Sequence, residues 1–399
     1  MRQRKANMSP VMIDIGLPTY EILEQESKRS RTLIKVATKL APECPRCGGC
    51  NLHSKGRYER RVKHLSVFKS ASELVVQTRR YLCLDCERSF VPALPGIKRW
   101  YRCSEPLREQ IYQDHHDGIC ASRVAERERI SAPTVSRTYA AFTQRKAKER
   151  LRQECPSVLG IDEHSLHRNG KYVTTFCDLK AHKIFDVAEG RSSSELAQYL
   201  SRLKGREKVK VICIDLSHPY RSMIRRWFPR ARIVADRFHV VRVAMKHFLQ
   251  QIKELEPDIK YKRRYIRALR KRPEKLSVYQ KQSLNELFQR YPLIEALYHK
   301  MRAICDLFNL KTQSKKACRA HARSLIQHIT DLRTHNFTSL HTLANTLEDW
   351  AEQIACMWRF RKNNSITEGF HRKMKLIQRR AYGFRNFNNY RLRVIAQCG

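Results

Sequence analysis

The chain has 399 residues, and its 80 lysines and arginines against 38 aspartates and glutamates give a formal net charge of +42. With 42% hydrophobic residues it has the composition of a globular protein, which excludes a disordered polycation. A surface this basic repels itself unless it meets a polyanion, and binding to phosphates is driven by the release of condensed counterions. The composition therefore predicts that the chain binds nucleic acid.

The cellular compartment is predicted from the start of the chain and from the cysteines. The charged segment Met1–Lys5 is not followed by the apolar stretch of a secretion signal. No apolar run in the sequence is long enough to span a membrane, so we expect no membrane partner. The 14 cysteines are not spaced as a disulfide framework. These features predict a protein of the reducing cytoplasm.

Residues 1–43 are a polar lead-in, for which we predict one or two short helices, and residues 44–100 carry two Cys-x-x-Cys knuckles. A strand-like stretch, Val62–Tyr81, lies between the knuckles. Four thiolates in two such pairs suit one structural zinc ion in a closed tetrahedral site, which predicts a zinc ribbon. Cys50 is close enough in sequence to be an alternative ligand. The four predicted zinc ligands are Cys44, Cys47, Cys83 and Cys86.

Residues 101–150 have the pattern of a helix-turn-helix domain. A short helix over Ser122–Arg129 is followed by a turn that ends at Ser131, and Ser131 can cap a second helix over Thr134–Phe142. The apolar residues predicted to pack these helices together are Val124, Ala125, Ile130, Val135 and Phe142. Polar side chains near the start of the second helix then face outward, where this motif reads the base edges of DNA. They are Thr134, Ser136 and Arg137.

Residues 151–240 contain three strand patterns in succession and then alternate helix with strand. Short connections between the first three strands are typical of an antiparallel meander. This order of elements is that of the ribonuclease H-like fold, an α/β (α+β) architecture. The predicted strands are Ser157–Asp162, Lys171–Leu179, Lys183–Ala188, Val209–Asp215 and Ala231–Asp236, and the predicted helices are Ser193–Leu203, Pro219–Phe228 and Phe238–Gln250.

Aspartates at the ends of these strands are candidate metal ligands. The first and fourth strands are neighbours in this fold, so we expect Asp162 and Asp215 to converge. Two carboxylates about 4 Å apart repel by roughly 4 kcal/mol at an effective dielectric of 20, and a divalent cation removes that repulsion. Oxygen ligands suit Mg²⁺ or Mn²⁺, and two such ions can assist an in-line phosphoryl displacement. Asp236 is a rival for the second position and Glu163 a lesser rival of Asp162, while the ordinary role of a strand-terminal aspartate is to cap a turn.

The last part of the chain supplies a third acidic candidate. Residues 241–357 have the pattern of a helical insertion, and residues 358–399 that of a final core helix and a basic tail. Ser365 and Glu368 have the spacing of a capping box, so Glu368 can close a helix start and also be held rigidly as a metal ligand. The cations that follow are predicted to bind DNA phosphates. They are Arg372, Lys373, Lys375, Arg379 and Arg380.

Four sequence blocks stand in order along the chain from about residue 40. They are the two cysteine knuckles, Gly160–His164, Asp215 with Val234–Val240, and Thr367–Gly369 with Lys373–Asn389. The segment Lys375–Phe387 within the last block is the most specific of them. Each block alone is a weak signal, but the ordered set resembles the ISL3 family of bacterial insertion-sequence transposases.

This resemblance implies a DDE-type transposase in which Asp162, Asp215 and Glu368 are the catalytic triad and hold two Mg²⁺ or Mn²⁺ ions. The zinc ribbon and the helix-turn-helix would bind the terminal inverted repeats of the element in double-stranded DNA. Joining two element ends to target DNA would require a homodimer or a larger assembly, associated with the bacterial nucleoid. One departure is His371, where relatives often have asparagine.

Two other functions stay open at this point. One is a DNA-binding regulator that has lost catalysis, and the other is a ribonuclease H-like nuclease that cuts DNA without strand transfer. The presence of all three carboxylates favours an enzyme over the regulator. Only the family resemblance favours a transposase over the nuclease.

Overall fold

The computed structural model describes residues 14–28, 31–67, 70–150, 152–166, 170–311, 314–360 and 364–399. Its contacts divide the chain into two compact units, Met1–Arg145 and Lys146–Gly399. Among the described residues, no helix combines the length and the apolar character needed to cross a membrane.

The first unit contains a five-stranded sheet in which β2 and β4 are parallel and the other pairs are antiparallel. The order is β1-β2-β4-β3, with β5 pairing on β4. The strands are β1 (Tyr20–Lys28), β2 (Arg31–Thr38), β3 (Leu52–Val67), β4 (Ser70–Cys83) and β5 (Ser89–Phe90).

The prediction of short helices in residues 1–43 is wrong for the described part, because residues 20–38 form β1 and β2. Strand β2 buries every second residue, and Ile34 and Val36 are fully buried against Leu74 and Val76 of β4. A period of two is the pattern of a half-buried strand and not of a helix. The sheet therefore continues across the predicted boundary between the lead-in and the ribbon.

Three helices follow in the first unit: α1 (Glu105–His116), α2 (Ala121–Arg127) and α3 (Ala132–Arg150). Val124, Ala125 and Val135 pack with Ile130, as expected. Phe142 does not join that cluster, which corrects the prediction. It packs instead against Tyr112, with ring centroids 5.3 Å apart, because α3 runs well beyond the predicted second helix.

The second unit is built on a sheet of order β10-β9-β6-β7-β8, in which β6–β9 and β9–β10 are parallel. The first and fourth strands of this sheet, β6 and β9, are neighbours, as the predicted order of elements requires. The elements are β6 (Val158–Ser165), β7 (Tyr172–Asp178), β8 (Lys183–Glu189), α4 (Ser193–Arg202), β9 (Val211–Ile214), α5 (His218–Trp227), β10 (Arg232–Ala235) and α6 (Arg237–Leu255).

Helices make up the rest of the second unit, and their apolar faces join the core of the sheet. Trp358 is fully buried there, and its indole N–H donates to the carbonyl oxygen of Leu307 at 3.1 Å. The helices are α7 (Arg263–Arg270), α8 (Val278–Arg290), α9 (Pro292–Asn309), α10 (Lys315–Thr334), α11 (Thr338–Asp349), α12 (Ala351–Phe360), α13 (Ser365–Arg380) and α14 (Phe387–Cys398).

Candidate active site and metal centres

The first unit holds a cluster of four thiols. The ligand atoms of Cys44, Cys47, Cys83 and Cys86 all lie within 4.8 Å of one another, as four ligands of one tetrahedral zinc ion require. Burial raises the pKa of the Cys44 thiol, but backbone N–H groups of Cys47 and Arg46 outweigh it and bring that pKa down to about 6. The pKa of the other three thiols is raised, and burial is the largest cause at Cys83 and Cys86. The cluster therefore provides one thiolate, and zinc would favour the ionised form of the other three.

Backbone turns at the two knuckles hold this cluster. The amide of Gly48 donates to the carbonyl oxygen of Cys44 at 2.9 Å, and the amide of Cys83 donates to the carbonyl oxygen of Arg88 at 3.0 Å. Cys50 is exposed, and its thiol points to the carbonyl oxygen of Gly48 at 3.9 Å, outside the cluster. The structure therefore does not support Cys50 as an alternative ligand.

In the second unit, Asp162 does not end its strand, contrary to the prediction. Strand β6 continues to Ser165 because it pairs with β7, where Asp162 lies opposite Thr175. On its other side, β6 pairs with β9 only as far as Gly160 opposite Cys213. The two parallel strands separate beyond that pair, and Asp162 lies just past the point of separation.

Asn364 fills the opening between these strands. Its side-chain amide donates to the carbonyl oxygens of Ile161 at 3.1 Å and Cys213 at 3.2 Å, so it bridges β6 and β9. Its backbone N–H donates to Oδ1 of Asp236 at 3.3 Å. Position 160 requires glycine, because a Cβ there would lie 2.3 Å from Oδ1 of Asn364. The sequence analysis missed this residue, although an Asn immediately before a predicted helix was a usable signal.

The two rival aspartates have different surroundings. Asp236 is the N-cap of α6, and its Oδ1 accepts from the amides of Phe238 and Asn364 while its Oδ2 lies 3.7 Å from His239. Asp215 follows β9, and its buried Oδ1 has no hydrogen-bond partner among the described residues. A buried carboxylate oxygen without a partner is unfavourable unless a ligand such as a cation satisfies it. Asp236 is therefore already engaged in structure, and Asp215 is not.

The ionised form is disfavoured at all three aspartates, Asp162, Asp215 and Asp236, and burial is the largest cause. Burial raises the pKa of Asp162 to about 7, with the backbone N–H of Glu163 opposing and the charges of Asp215 and Asp236 adding to the rise. Burial also raises the pKa of Asp215 and of Asp236, against an opposing contribution from His239. A divalent cation would reverse this preference, since it favours the ionised carboxylates.

Glu163 lies on the other face of β6 from Asp162, since successive side chains alternate along a strand. The hydroxyl of Tyr220 donates to its Oε2 at 3.2 Å, and Arg191 lies 3.8 Å from its Oε1. The guanidinium of Arg191 also stacks on Tyr172. These contacts hold the Glu163 side chain away from Asp162 and give it a structural role.

A chain of buried polar contacts runs from Asp162 to α14. His371 places Nδ1 3.7 Å from Oδ2 of Asp162 and Nε2 3.1 Å from the hydroxyl of Thr175. Thr175 is 3.3 Å from Nδ1 of His164, whose Nε2 is 2.7 Å from the hydroxyl of Tyr390. Burial lowers the pKa of His371 to about 4 and that of His164 to about 3, so both rings are neutral near pH 7.

A neutral imidazole donates from one nitrogen and accepts at the other, so this chain has one orientation that offers an N–H to Asp162. In it, Tyr390 donates to His164, His164 donates to Thr175, and Thr175 donates to His371. The remaining proton of His371 is then on Nδ1, facing the carboxylate. His371 was noted in the sequence only as a departure from the family pattern. In the structure it lies beside Asp162, the first candidate metal ligand.

Glu368 is in the first turn of α13, but the expected capping box is absent. The N-cap is Asn364 rather than Ser365, and no side chain caps the helix. The side chain of Glu368 is 55% exposed and pairs with Arg372 at 3.4 Å. Among the described residues, only the four ribbon cysteines form a group of three or more metal-ligating side chains within 4.8 Å. The charge of Glu368 adds to the raised pKa of Asp236, but in the described residues Glu368 and the aspartates do not form such a group.

The predicted DNA-binding side chains are mostly exposed. On α3, Ser136 and Arg137 are exposed, whereas Thr134 is half-buried and accepts from Arg137 at 3.1 Å. On α13, Lys373 donates to the carbonyl oxygen of Gln397, so it secures α14 in this structure. The other α13 cations, Arg372, Lys375, Arg379 and Arg380, have exposed side chains.

Comparison with known proteins gives two family matches. Residues 159–394 match a family described as the ISL3-type DDE transposase, and residues 41–86 match the zinc finger of transposases of the IS204/IS1001/IS1096/IS1165 group. The chain is also 24% identical over 368 residues to the transposase for insertion sequence element IS1001 of Bordetella parapertussis, with 88% of each chain covered.

Proposed function

Because the chain belongs to the ISL3 family of DDE-type transposases, we propose that it binds the terminal inverted repeats of an insertion sequence and catalyses metal-dependent strand cleavage and strand transfer. The observation that carries the catalytic part is the buried, unpartnered Oδ1 of Asp215 beside the raised pKa of Asp162. Both features are those of carboxylates whose ionised form a divalent cation would stabilise.

The carboxylate oxygens fit Mg²⁺ or Mn²⁺, which prefer hard oxygen ligands. Asp162 and Asp215 would hold two ions, and Glu368 at the start of α13 would complete the set. When bound, such ions activate an attacking oxygen and stabilise a leaving oxygen in phosphoryl displacement. Asn364 positions Asp236 and the start of α13, and the α13 cations would bind the phosphates of the DNA strand.

Asp215 is preferred to Asp236 as the second ligand, because both oxygens of Asp236 already face donors of the protein. Glu163 is set aside for the same reason, since it faces Tyr220 and Arg191. These assignments keep Asp162, Asp215 and Glu368 as the catalytic residues and give Asp236 a positioning role.

Recognition of the element ends is assigned to the first unit. The helices α1–α3 would act as a helix-turn-helix, with Ser136 and Arg137 at the DNA and Thr134 orienting Arg137. The zinc ribbon would contact the neighbouring DNA. Two ends are joined in transposition, so the active form would be a homodimer or a larger assembly on DNA in the bacterial cytoplasm.

The decisive experiment is a strand-transfer assay with duplex DNA of the element ends and Mg²⁺. Asp162→Asn, Asp215→Asn and Glu368→Gln should bind the ends normally and lose cleavage and joining by a thousandfold or more, on the order of 4 kcal/mol. If the three variants still join strands, the catalytic assignment is wrong. Cleavage without joining by the wild type would indicate the nuclease, and binding without either would indicate the regulator.

A metal-specificity swap separates Asp215 from Asp236. A thiolate binds softer ions in preference to Mg²⁺, so Asp215→Cys should lose activity with Mg²⁺ and regain part of it with Mn²⁺. Asp236→Cys should show no such difference between the two ions. Recovery in the Asp236 variant and not in the Asp215 variant would reverse the assignment.

A further inference from the structure

A cavity in the helical part of the second unit is lined almost entirely by cations. Its volume is about 340 Å³, and none of its lining residues is acidic. The cations come from the end of α6, from the short 3₁₀ turn Pro257–Lys260 and from α7. The lining residues are Lys253, Lys260, Arg263, Ile266, Arg267 and Arg270.

Helix α7 presents its three lining arginines as one stripe. Arg263, Arg267 and Arg270 are spaced i, i+4 and i+7 and therefore share one face of the helix. The opposite face is fixed in the core by buried residues that include Ala268 and Leu269. Like charges four residues apart destabilise a helix by about 0.2–0.5 kcal/mol, and a cation in the first turn opposes the helix dipole. The dipole favours Arg267 and Arg270, which stand in the last turn, so what an anion would relieve is the mutual repulsion of the stripe and the unfavourable position of Arg263.

No acidic group of the protein supplies that anion. Within the described part of the chain, the five lining cations form no ion pair and no side-chain hydrogen bond, and Lys260 contacts only the ring of Tyr261, 4.8 Å away. Arg264 on the same helix does pair, with Glu286 at 3.2 Å. A larger cavity beside β8 mixes its cations with Asp186 and Glu189. The larger cavity therefore has acidic partners among its lining residues, and the cavity at α7 has none.

We propose that this cavity, named here the α7 basic cavity, docks the phosphate backbone of double-stranded DNA. DNA presents one negative charge per about 1.7 Å of duplex, and guanidinium groups bind phosphates with two parallel hydrogen bonds. Such contacts position a duplex without reading its sequence. The inference rests on the proposed function, which makes double-stranded DNA the substrate.

The fold also sets where along the DNA this contact falls. Helix α6 begins at its N-cap Asp236, in the candidate active site, and its 19 residues end at Leu255 beside the cavity. A helix of that length spans about 28 Å, at 1.5 Å per residue. A duplex that lies along α6 would meet the cavity roughly eight base pairs from the cleaved phosphate, at about 3.4 Å per base pair.

The test compares Arg267→Gln with Arg264→Gln, which removes one arginine of the same helix outside the cavity. The affinity for duplex DNA is measured at salt concentrations between about 50 and 200 mM, a range over which phosphate contacts make the affinity fall steeply. Arg267→Gln should reduce the slope of log affinity against log salt by about 0.9, and Arg264→Gln should leave it unchanged. With duplexes that end fewer than about eight base pairs from the cleavage site, Arg267→Gln should match the wild type.

The outcomes separate this inference from the proposed function. At low salt and saturating protein, Arg264→Gln should cleave element ends at the wild-type rate, because the cavity and the catalytic carboxylates are unchanged. An unaltered salt slope in Arg267→Gln, or an equal loss in both variants, overturns the docking site and leaves the transposase assignment standing. Tighter binding of duplex RNA than of DNA overturns the choice of DNA. If the wild type fails to cleave element ends, this result overturns the proposed function alone.

Discussion

The two candidate metal sites of this protein differ in how their ligands are brought together. The four thiols of the ribbon lie in two turns that flank β3, β4 and β5, and the structure already places them within 4.8 Å. The carboxylates come from β6, the end of β9 and the start of α13, and they do not form such a group among the described residues. Pairing of β3 with β4 brings the two local knuckles of the first site together, whereas the carboxylates depend on the parallel pairing of β6 with β9 and on the position of α13.

The difference also appears in the pKa values. Backbone N–H groups at the cysteine knuckle favour the charged thiolate of Cys44, whereas burial in the sheet disfavours the charged carboxylate of Asp162. The lowered pKa is confined to Cys44, because the pKa of the other three ribbon thiols is raised. A catalytic site that exchanges ions and substrate carries unfavourable energy until they bind.

The largest effect is expected from breaking the ribbon. Cys83→Ser removes a buried ligand and should release zinc, with the loss of on the order of 10 kcal/mol of folding free energy from the first unit. Zinc content and hydrogen exchange of the β3–β4 amides report the change. Cys50→Ser is the matched control and should retain zinc and protection, because Cys50 lies outside the cluster. Full zinc retention in Cys83→Ser would contradict the ligand set.

The second prediction concerns the metal-free carboxylate site. Asp162 has a folded pKa of about 7, above its unfolded value of about 3.9. Its contribution to stability is therefore fully present below about pH 4 and is lost as the pH rises through about 7. Asp162→Asn removes this loss and should stabilise the metal-free protein at pH 8 by about 2–4 kcal/mol, although the proposed assignment expects it to abolish catalysis.

Urea unfolding with a chelator present measures this effect between about pH 4 and pH 8. Asp258→Asn, on the exposed turn after α6, is the control and should not change the pH dependence. Added Mg²⁺ should stabilise the wild type and not Asp162→Asn. A wild-type stability that rises across this pH range would count against the burial argument.

The third prediction tests how α13 is attached to the sheet. Gly160→Ala places a methyl group against Oδ1 of Asn364 and the side chain of Leu179, and overpacking of this kind costs about 1–3 kcal/mol. The same variant should raise the Mg²⁺ concentration needed for cleavage, since Asn364 begins the helix of Glu368. Gly369→Ala meets open space and should be neutral or slightly stabilising in the same unfolding assay. Equal destabilisation by both alanines would contradict the role of Asn364.

The smallest expected effect concerns the contact of His371 with Asp162. An asparagine places its amide N–H near the Nδ1 position of histidine, and a glutamine places it near Nε2. His371→Asn should therefore keep Mn²⁺ affinity within about threefold, whereas His371→Gln should weaken it by about tenfold, as the loss of a polar group that orients a metal ligand does. Mn²⁺ binding followed by electron paramagnetic resonance gives the readout. If glutamine preserves the affinity and asparagine does not, the orientation of the Tyr390–Asp162 chain is reversed.

The sequence by itself predicted the features that depend on nearby residues or on the order of elements. The knuckles predicted the four clustered thiols, because Cys-x-x-Cys spacing determines its own turn. The succession of strands and helices predicted that β6 and β9 are neighbours, because this order belongs to one known sheet topology. The matches to the ISL3 family confirm the family resemblance.

Only the tertiary structure decided the features that depend on contacts between distant segments. It showed that β6 continues past Asp162, since its pairing with β7 extends further along the strand than its pairing with β9. It placed Asn364 across β6 and β9, and it showed that Ser365 and Glu368 do not form the predicted capping box. Residues such as Asp215 and Asp236 have the same pattern in sequence, and they differ only in which donors the folded chain brings to their oxygens.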